Sequence, residues 1–200
     1  MAGPTLIIAT NNPDKVREIR EILTRSDIAI LSAGDFDDFP EIEESGQTLV
    51  ENAILKAEAV WQKYHLPSLA DDTGLEVECL NGEPGAHSSR YAGPHASYDE
   101  NCNKLLAEIA RRKCQSGKAW FRTVVAFVDA RGNLATAEGA LEGEIISVKR
   151  GDNGFGYDPI FLVPELGMTL AELDPAEKNR ISHRHRALLN ILPGVLAGLA

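Results

Sequence analysis

Short apolar runs alternate along the chain with stretches in which apolar residues recur at helical spacing. The short runs predict strands, and the periodic stretches predict amphipathic helices that pack on a core. Because strands and helices alternate, we expect an α/β fold. The predicted strands cover residues 5–9, 28–31, 75–79, 120–129, 134–141 and 160–163.

Capping chemistry marks the helix starts. Asn12 is a good N-cap, and Pro13 suits the first position of a helix. Segments 48–51 and 97–100 each have the Ser/Thr-x-x-Glu pattern of a capping box. Residues 174–177 have similar helix-start chemistry. A helix is therefore predicted to begin at each of these places.

The C-terminal part of the chain combines basic and apolar residues. On one continuous helix, Arg180 and Arg184 would share a face. The apolar run at 187–192 would hold this helix to the core. Pro193 and Gly194 would then end it.

Composition is that of an ordinary globular protein and excludes several classes. Of 200 residues, 44% are hydrophobic and 25% are charged, which suits one domain over residues 1–200. A net charge of −10 disfavours binding to a nucleic-acid polymer. No segment has the pattern of a membrane span or a signal peptide. We therefore expect a cytoplasmic protein with no nucleic-acid polymer or membrane as partner.

The three cysteines, Cys79, Cys102 and Cys114, have no close-spaced partner. This spacing argues against a disulfide framework and against a zinc site, and it fits a reducing compartment. Cys102 lies on the apolar face of a predicted helix, so we expect it in the core.

Two adjacent carboxylates follow the apolar residues Leu69 and Ala70. We predict a short strand that ends at Asp71 and Asp72, with Gly74 in a turn before the next strand. Adjacent buried carboxylates are costly to desolvate, so they require a cation. The alternative is a solvated turn, because Asp, Thr and Gly all favour turns.

A polar turn at residues 10–12 links the first strand to the first helix. The free N–H groups at a helix start attract anions. Lys15 lies in the first turn of this helix, where the helix dipole disfavours a cation. A bound anion would explain its position, and the alternative is an ordinary surface lysine.

Two further segments have the chemistry of ligand binding. Glycines in segment 151–159 allow a close approach of backbone to a ligand, and Phe155 and Tyr157 offer flat faces for a base. The alternative is a surface loop whose aromatic rings anchor it to the core. Residues 178–186 are the densest basic cluster in this acidic chain. An anionic ligand would explain the cluster, as would ion pairs to the acidic, loop-like segment at 34–46.

These features together predict a nucleoside polyphosphate as the ligand. The chain has no histidine-rich or thiol site, so a metal would be a hard, oxygen-liganded ion, and Mg²⁺ is the natural choice. Basic groups and Mg²⁺ suit phosphates, and an aromatic loop suits a base.

Several blocks of the sequence resemble the RdgB/HAM-type family of noncanonical purine nucleoside triphosphate pyrophosphatases, which remove ITP, dITP and XTP. The resemblance runs in unbroken order from Thr5 to about Leu192. One departure is Asn11, where relatives often have glycine. Asn tolerates left-handed geometry, so we expect the turn to survive. The matching blocks are Thr10-Asn11-Asn12 with Lys15, and residues 51–57, 70–75, 89–91, 154–161 and 181–184.

The resemblance implies an elongated, two-lobed α/β fold with a central mixed sheet flanked by helices and the nucleotide in the groove between the lobes. It also implies a homodimer and dependence on Mg²⁺. Asp72 would be the general base and a metal ligand, and one of Glu43 and Glu44 would complete the metal site. The residues implied in substrate binding are Thr10, Asn11, Asn12, Pro13, Asp14 and Lys15 at the phosphates, Phe155, Gly156, Tyr157 and Asp158 around the base, and Thr73, Lys178, His183 and Arg184.

Two other functions fit the same residues. One is a Maf-like pyrophosphatase that acts on modified pyrimidine or other nucleotides. The other is a noncatalytic sensor that binds a nucleoside triphosphate and signals through a partner. Pyrophosphate release from ITP separates the enzymes from the sensor, and a preference for ITP over UTP separates the two enzymes.

Overall fold

A computed structural model describes residues 3–23 and 28–199. It confirms the α/β prediction. The strands are β1 (Thr5–Ile8), β2 (Ala29–Leu31), β3 (Ser68–Val77), β4 (Pro84–Gly85), β5 (Lys118–Val128), β6 (Leu134–Ile145), β7 (Phe161–Val163) and β8 (Met168–Thr169). The α-helices are α1 (Pro13–Ile22), α2 (Leu49–Tyr64), α3 (Tyr98–Arg111), α4 (Pro175–Ile181) and α5 (His183–Leu199).

The strands form a mixed sheet in the order β2-β1-β3-β5-β6-β7-β8, with β4 paired to β3. Strand β1 runs parallel to β2 and β3, with Ile7 opposite Leu31 and Ser68. Strand β7 is antiparallel to β6 and β8. The expected central mixed sheet with flanking helices is confirmed.

The chain divides into two compact units. The first unit comprises Met1–Asp72, Thr123–Gly139 and Arg184–Ala200, and the second comprises Thr73–Arg122 and Ala140–His183. The expected groove between two lobes and the single domain over residues 1–200 both stay predictions.

Each unit has its own core. In the first unit, Leu6 and Ile8 of β1 pack with α1 and α5, whereas Ile7 packs with α2, because successive side chains of a strand point to opposite faces. In the second unit, β3, α3 and β7 bury a separate apolar cluster that includes Leu105 and Phe161.

The predicted helix starts are confirmed. The Asn12 side chain accepts hydrogen bonds from the backbone N–H groups of Asp14 and Lys15, and Pro13 occupies the first turn. The capping boxes at 48–51 and 97–100 are formed at the starts of α2 and α3. These motifs are local, so the sequence is sufficient to place them.

The prediction of a turn at Gly74 is wrong, because β3 is one ten-residue strand that runs through Asp71, Asp72 and Gly74. Gly74 is buried, and the N–H of Leu75 donates to Ser88 Oγ at 2.8 Å. Both carboxylates are buried as well, so the alternative of a solvated turn is also wrong.

The predicted end of the last helix is wrong as well, since α5 continues through Pro193 and Gly194 to Leu199. Val195, beyond the proline, is buried in the core of the first unit. A Cβ on Gly198 would lie 2.7 Å from the Phe127 ring, so the helix packs closely there. Burial of Val195 and the close contact at Gly198 compensate for the hydrogen bond that the proline removes.

The expectation that Arg180 and Arg184 share a helix face is wrong. Ser182 is extended and separates α4 from α5, because its backbone dihedrals of −63° and 152° are not helical. Arg180 is exposed in α4, whereas Arg184 is buried at the start of α5.

The expectation of no disulfide is wrong for one pair. Cys79 and Cys114 are joined by a disulfide across a sequence separation of 35 residues. Cys79 follows β3 and Cys114 follows α3, so only the folded chain brings them together. Cys102 is free and buried, as expected. Within the described part of the chain, no helix is both long enough and apolar enough to cross a membrane.

Candidate active site

A buried network of four charged side chains lies in the first unit. Arg184, only 1% exposed, donates from Nε and Nη2 to Asp71 Oδ2 at 3.2 and 3.0 Å. Its Nη1 donates to Glu18. Lys15 Nζ lies 3.1 Å from Asp71 Oδ2, so the alternative of a surface lysine is wrong. Two cations and two carboxylates thus compensate one another, and all of them are buried except Lys15, whose side chain is 14% exposed.

The network fixes the charge of Asp71. Burial raises the pKa of Asp71, but Lys15 and Arg184 outweigh it and hold this pKa well below its ordinary value. Burial lowers the pKa of Lys15 more than Asp71 raises it. Asp71 therefore stays ionised and provides Lys15 with an internal counterion, whereas an anion bound near Lys15 stays a prediction.

Asp72, the next residue of β3, is held by two side chains from α2. Lys56 Nζ lies 2.7 Å from Asp72 Oδ1 and 3.1 Å from Glu44 Oε1. Asn52 Nδ2 lies 3.5 Å from Asp72 Oδ2. Residues four apart share a helix face, so α2 directs both groups to one carboxylate. The predicted need for a cation beside the paired acids is confirmed.

The surroundings of Asp72 make it a stronger base than an ordinary aspartate. Burial raises its pKa, and the opposing effect of Lys56 and Lys15 does not cancel that increase. Burial also lowers the pKa of Lys56, but Asp72 and Glu44 outweigh it, so this pKa lies above its ordinary value. A buried carboxylate with a raised pKa beside a fixed cation is suited to accept a proton from water.

The carboxylates around Asp72 determine whether a metal fits at this site. Among residues 3–23 and 28–199, no group of three or more His, Cys, Asp or Glu side chains is placed to hold one. Asp72 and Glu44 nevertheless converge on one cation, the Lys56 ammonium. Glu43 is exposed. Two carboxylates from different segments fit Mg²⁺, which keeps several waters and needs only one or two protein carboxylates.

In the second unit, Asp158 organises the glycine-rich loop. Its Oδ2 accepts from Lys178 Nζ at 2.6 Å and from the N–H of Phe155 at 2.9 Å. The Lys178 ammonium also lies 4.7 Å from the centre of the Phe155 ring. Gly154 has a φ of +74°, and a Cβ there would lie 2.1 Å from Asp158 Oδ2, so only glycine fits. Asp158, Lys178 and Phe155 therefore form one charged and aromatic group.

Tyr157 anchors this loop to the core. It is only 4% exposed, and its hydroxyl donates to the carbonyl of Ser88 at 2.9 Å. Burial raises the pKa of Tyr157 far above its ordinary value, so the hydroxyl remains a donor. The alternative in which aromatic rings anchor the loop is thus confirmed for Tyr157. His183, also buried, stacks on Phe121 with ring centres 4.7 Å apart.

The residues expected to bind substrate are distributed over both units. The turn from Thr10 to Lys15 and Arg184 belong to the first unit, where Lys15 and Arg184 meet at Asp71 while Asn11 and Pro13 are exposed. The members in the second unit are Thr73, Phe155, Gly156, Tyr157, Asp158, Lys178 and His183. Their roles toward substrate stay predictions.

Sequence reasoning assigned no role to Lys56, Asn52 or Glu18. Lys56 lies on the same helix face as Ala53 and Ala57, which are buried. A charged residue inside an apolar stripe is a signal that could have been used, because lysine is rarely buried without a partner. Glu18 gave no such signal, since its partner Arg184 is 166 positions away in the sequence.

Fold and site together define a mixed α/β protein with buried, ion-paired carboxylates on its third strand. The model of the Ham1 family matches residues 6–193 of this chain. The dITP/XTP pyrophosphatase of Methylococcus capsulatus is 49% identical over 185 residues, which cover 91% of this chain and 91% of that protein. The dITP/XTP pyrophosphatase of a Thermoanaerobacter species is 45% identical over 97% of this chain and 98% of that protein.

The solved structures agree with the sequence comparisons. The structure of a HAM1 protein from Coxiella burnetii matches with a TM-score of 0.87 and 42% identity, over 97% of this chain and 98% of that one. The chain belongs to the Ham1 family. The resemblance noted from the sequence motifs is thereby confirmed.

Proposed function

We propose that this protein hydrolyses the noncanonical purine nucleoside triphosphates ITP, dITP and XTP to the nucleoside monophosphate and pyrophosphate. Membership of the Ham1 family and the names of the relatives support this activity. The observation that carries the proposal is Asp72, a buried carboxylate whose two oxygens face Lys56 and Asn52 of α2. A protein that only binds nucleotide has no need of such a base.

In the proposed reaction, Asp72 accepts a proton from the water that attacks the α-phosphorus. The bond between the α-phosphorus and the bridging oxygen breaks, and pyrophosphate leaves. Lys15 and the helix start at Asn12 are suited to bind the phosphates, because a helix N-terminus and an ammonium both attract anions. Lys178 and Phe155 are suited to contact the substrate with charge and an aromatic face.

Asp72 and Glu44 would hold a Mg²⁺ ion, with Glu44 preferred over Glu43 because only Glu44 shares a cation with Asp72. When bound, the ion would neutralise charge on the phosphates. In its absence, the Lys56 ammonium contacts both carboxylates and holds them together. We further propose that the protein is a cytoplasmic homodimer, although the Cys79–Cys114 disulfide removes the support that the cysteines gave to a reducing compartment.

The test is pyrophosphate release from ITP in the presence of Mg²⁺ by the wild-type protein and by Asp72→Asn. The substitution keeps the size of the side chain but removes its basicity, so kcat should fall by at least about a hundredfold. A variant with wild-type turnover would remove Asp72 from the mechanism. Faster hydrolysis of UTP than ITP would favour a Maf-like enzyme, and binding without hydrolysis would favour a sensor.

A further inference from the structure

Helices α2 and α3 begin with the same arrangement of side chains. Each has a capping box, at 48–51 and 97–100, and each has a buried asparagine directly after it. Asn52 is fully buried, and Asn101 is almost so. A buried amide must satisfy both its oxygen and its nitrogen, so its partners indicate its purpose.

The two asparagines differ in one partner. Asn52 Oδ1 accepts from the N–H of Gly46 at 2.8 Å, and Asn101 Oδ1 accepts from the N–H of Ala92 at 2.7 Å. In both cases the amide oxygen thus fixes the loop before the helix. Asn101 Nδ2 donates to the backbone carbonyl of Ser89 at 3.0 Å. Asn52 Nδ2 instead faces the carboxylate of Asp72.

The loop fixed by Asn52 is the one that carries Glu44. Its approach to α2 is close, because a Cβ on Gly46 would lie 2.6 Å from Asn52 Oδ1 and 2.8 Å from Glu51 Cβ. Lys56, one turn further along the helix, bridges Glu44 and Asp72. One face of α2 therefore fixes both the acidic loop and the two oxygens of Asp72.

We propose that Asn52 is a positioning residue that orients the Asp72 carboxylate and joins it to the loop of Glu44. This inference rests on the proposed function. Lys56 binds Oδ1, and the Asn52 amide limits rotation of the carboxylate from the side of Oδ2. The contact of 3.5 Å is long, as hydrogen bonds of catalytic groups often are before substrate binds.

The experiment compares Asn52→Ala with Asn101→Ala in the full chain, using pyrophosphate release from ITP. Both variants lose a buried amide at the same place in a helix, so both should lower the melting temperature by several degrees. Asn52→Ala should also lower kcat by about 10- to 100-fold with little change in KM, which is the usual effect of removing a group that orients another. Asn101→Ala should keep a kcat close to that of the wild type, because Asn101 contacts only the backbone of the loop before α3.

A second variant separates the two bonds of Asn52. Asn52→Asp keeps an acceptor for the N–H of Gly46 but replaces the donor to Asp72 with a second carboxylate. Its kcat should fall at least as far as that of Asn52→Ala, although the loop stays anchored. This variant also tests the positioning role of Asn52 if Asn52→Ala does not fold.

The outcomes are distinct. Equal kcat for the Asn52 and Asn101 variants, or a change in KM alone, would overturn the positioning role while the wild type still hydrolyses ITP. Wild-type kcat in Asn52→Asp would overturn it too, since the donor would then be unnecessary. A wild-type protein that releases no pyrophosphate from ITP would refute the proposed function, and the inference would fall with it.

Discussion

Replacement of Lys56 by methionine tests how much the buried ion pair with Asp72 contributes to the stability of the fold. The side chains of Lys56 and Asp72 are only 8% and 6% exposed. Methionine keeps most of the apolar stem but removes the charge that faces Asp72 and Glu44. Removal of one partner from a buried pair costs about 3–5 kcal/mol, because the other charge stays desolvated.

The loss of stability caused by Lys56→Met should be larger at higher pH. Burial already raises the pKa of Asp72, and loss of Lys56 removes the largest opposing effect, so the pKa rises further. A carboxyl group whose pKa is higher in the folded state binds its proton more tightly there, so stability falls as pH rises through the unfolded and then the folded pKa. Compared with the wild type, Lys56→Met should therefore lose more of its free energy of unfolding at about pH 8 than at about pH 5.

The assay is urea unfolding at both pH values, with Lys63→Met as the matched control. Lys63 lies on the same helix and pairs with Asp38 at 2.9 Å, but 34% of the Lys63 side chain and 71% of that of Asp38 are exposed. Such a surface pair contributes about 0.2–1 kcal/mol. The importance of burial is refuted if Lys56→Met lowers the free energy of unfolding no more than Lys63→Met does. It is also refuted if Lys56→Met lowers this free energy equally at both pH values.

Three further outcomes are expected. Lys178→Ala should raise KM for ITP more than it lowers kcat, because Lys178 is assigned to binding through the Asp158 loop; a collapse of kcat at constant KM would contradict this. Steady-state kinetics should also show ITP preferred over ATP by at least about a hundredfold, and His183→Ala should reduce that ratio more than Lys15→Ala does, since both substrates share the phosphates. Burial raises the pKa of the Cys102 thiol to about 11, so mass spectrometry should find it alkylated at neutral pH only after unfolding.

The parts of the fold that the sequence predicts are those set by neighbouring residues. The N-cap at Asn12 and the two capping boxes form within four positions, so their chemistry is visible in the sequence. The ion pairs of the site instead join residues that are far apart in the sequence. Lys15 meets Asp71 across 56 positions, and Arg184 meets it across 113. Only the folded sheet brings these side chains together.

The wrong predictions have a common physical cause. Gly74 and Pro193 each carry a local preference for a break, and in both places tertiary contacts outweigh that preference. Gly74 continues a buried strand, and the residues after Pro193 continue a helix that packs on the first unit. A local preference is worth about 1–3 kcal/mol, which burial of a few apolar side chains exceeds.

Small side chains explain why α2 reaches the site. Ala53 and Ala57 of α2 pack in one cluster with Ala9, beside β1, and Ala70 of β3. Alanines on both sides of this contact let the helix lie close to the sheet. Because the helix lies close to the sheet, Lys56 and Asn52 can reach the carboxylate of Asp72 in β3. The apolar stripe that made α2 predictable therefore also sets the distance at which its polar residues act.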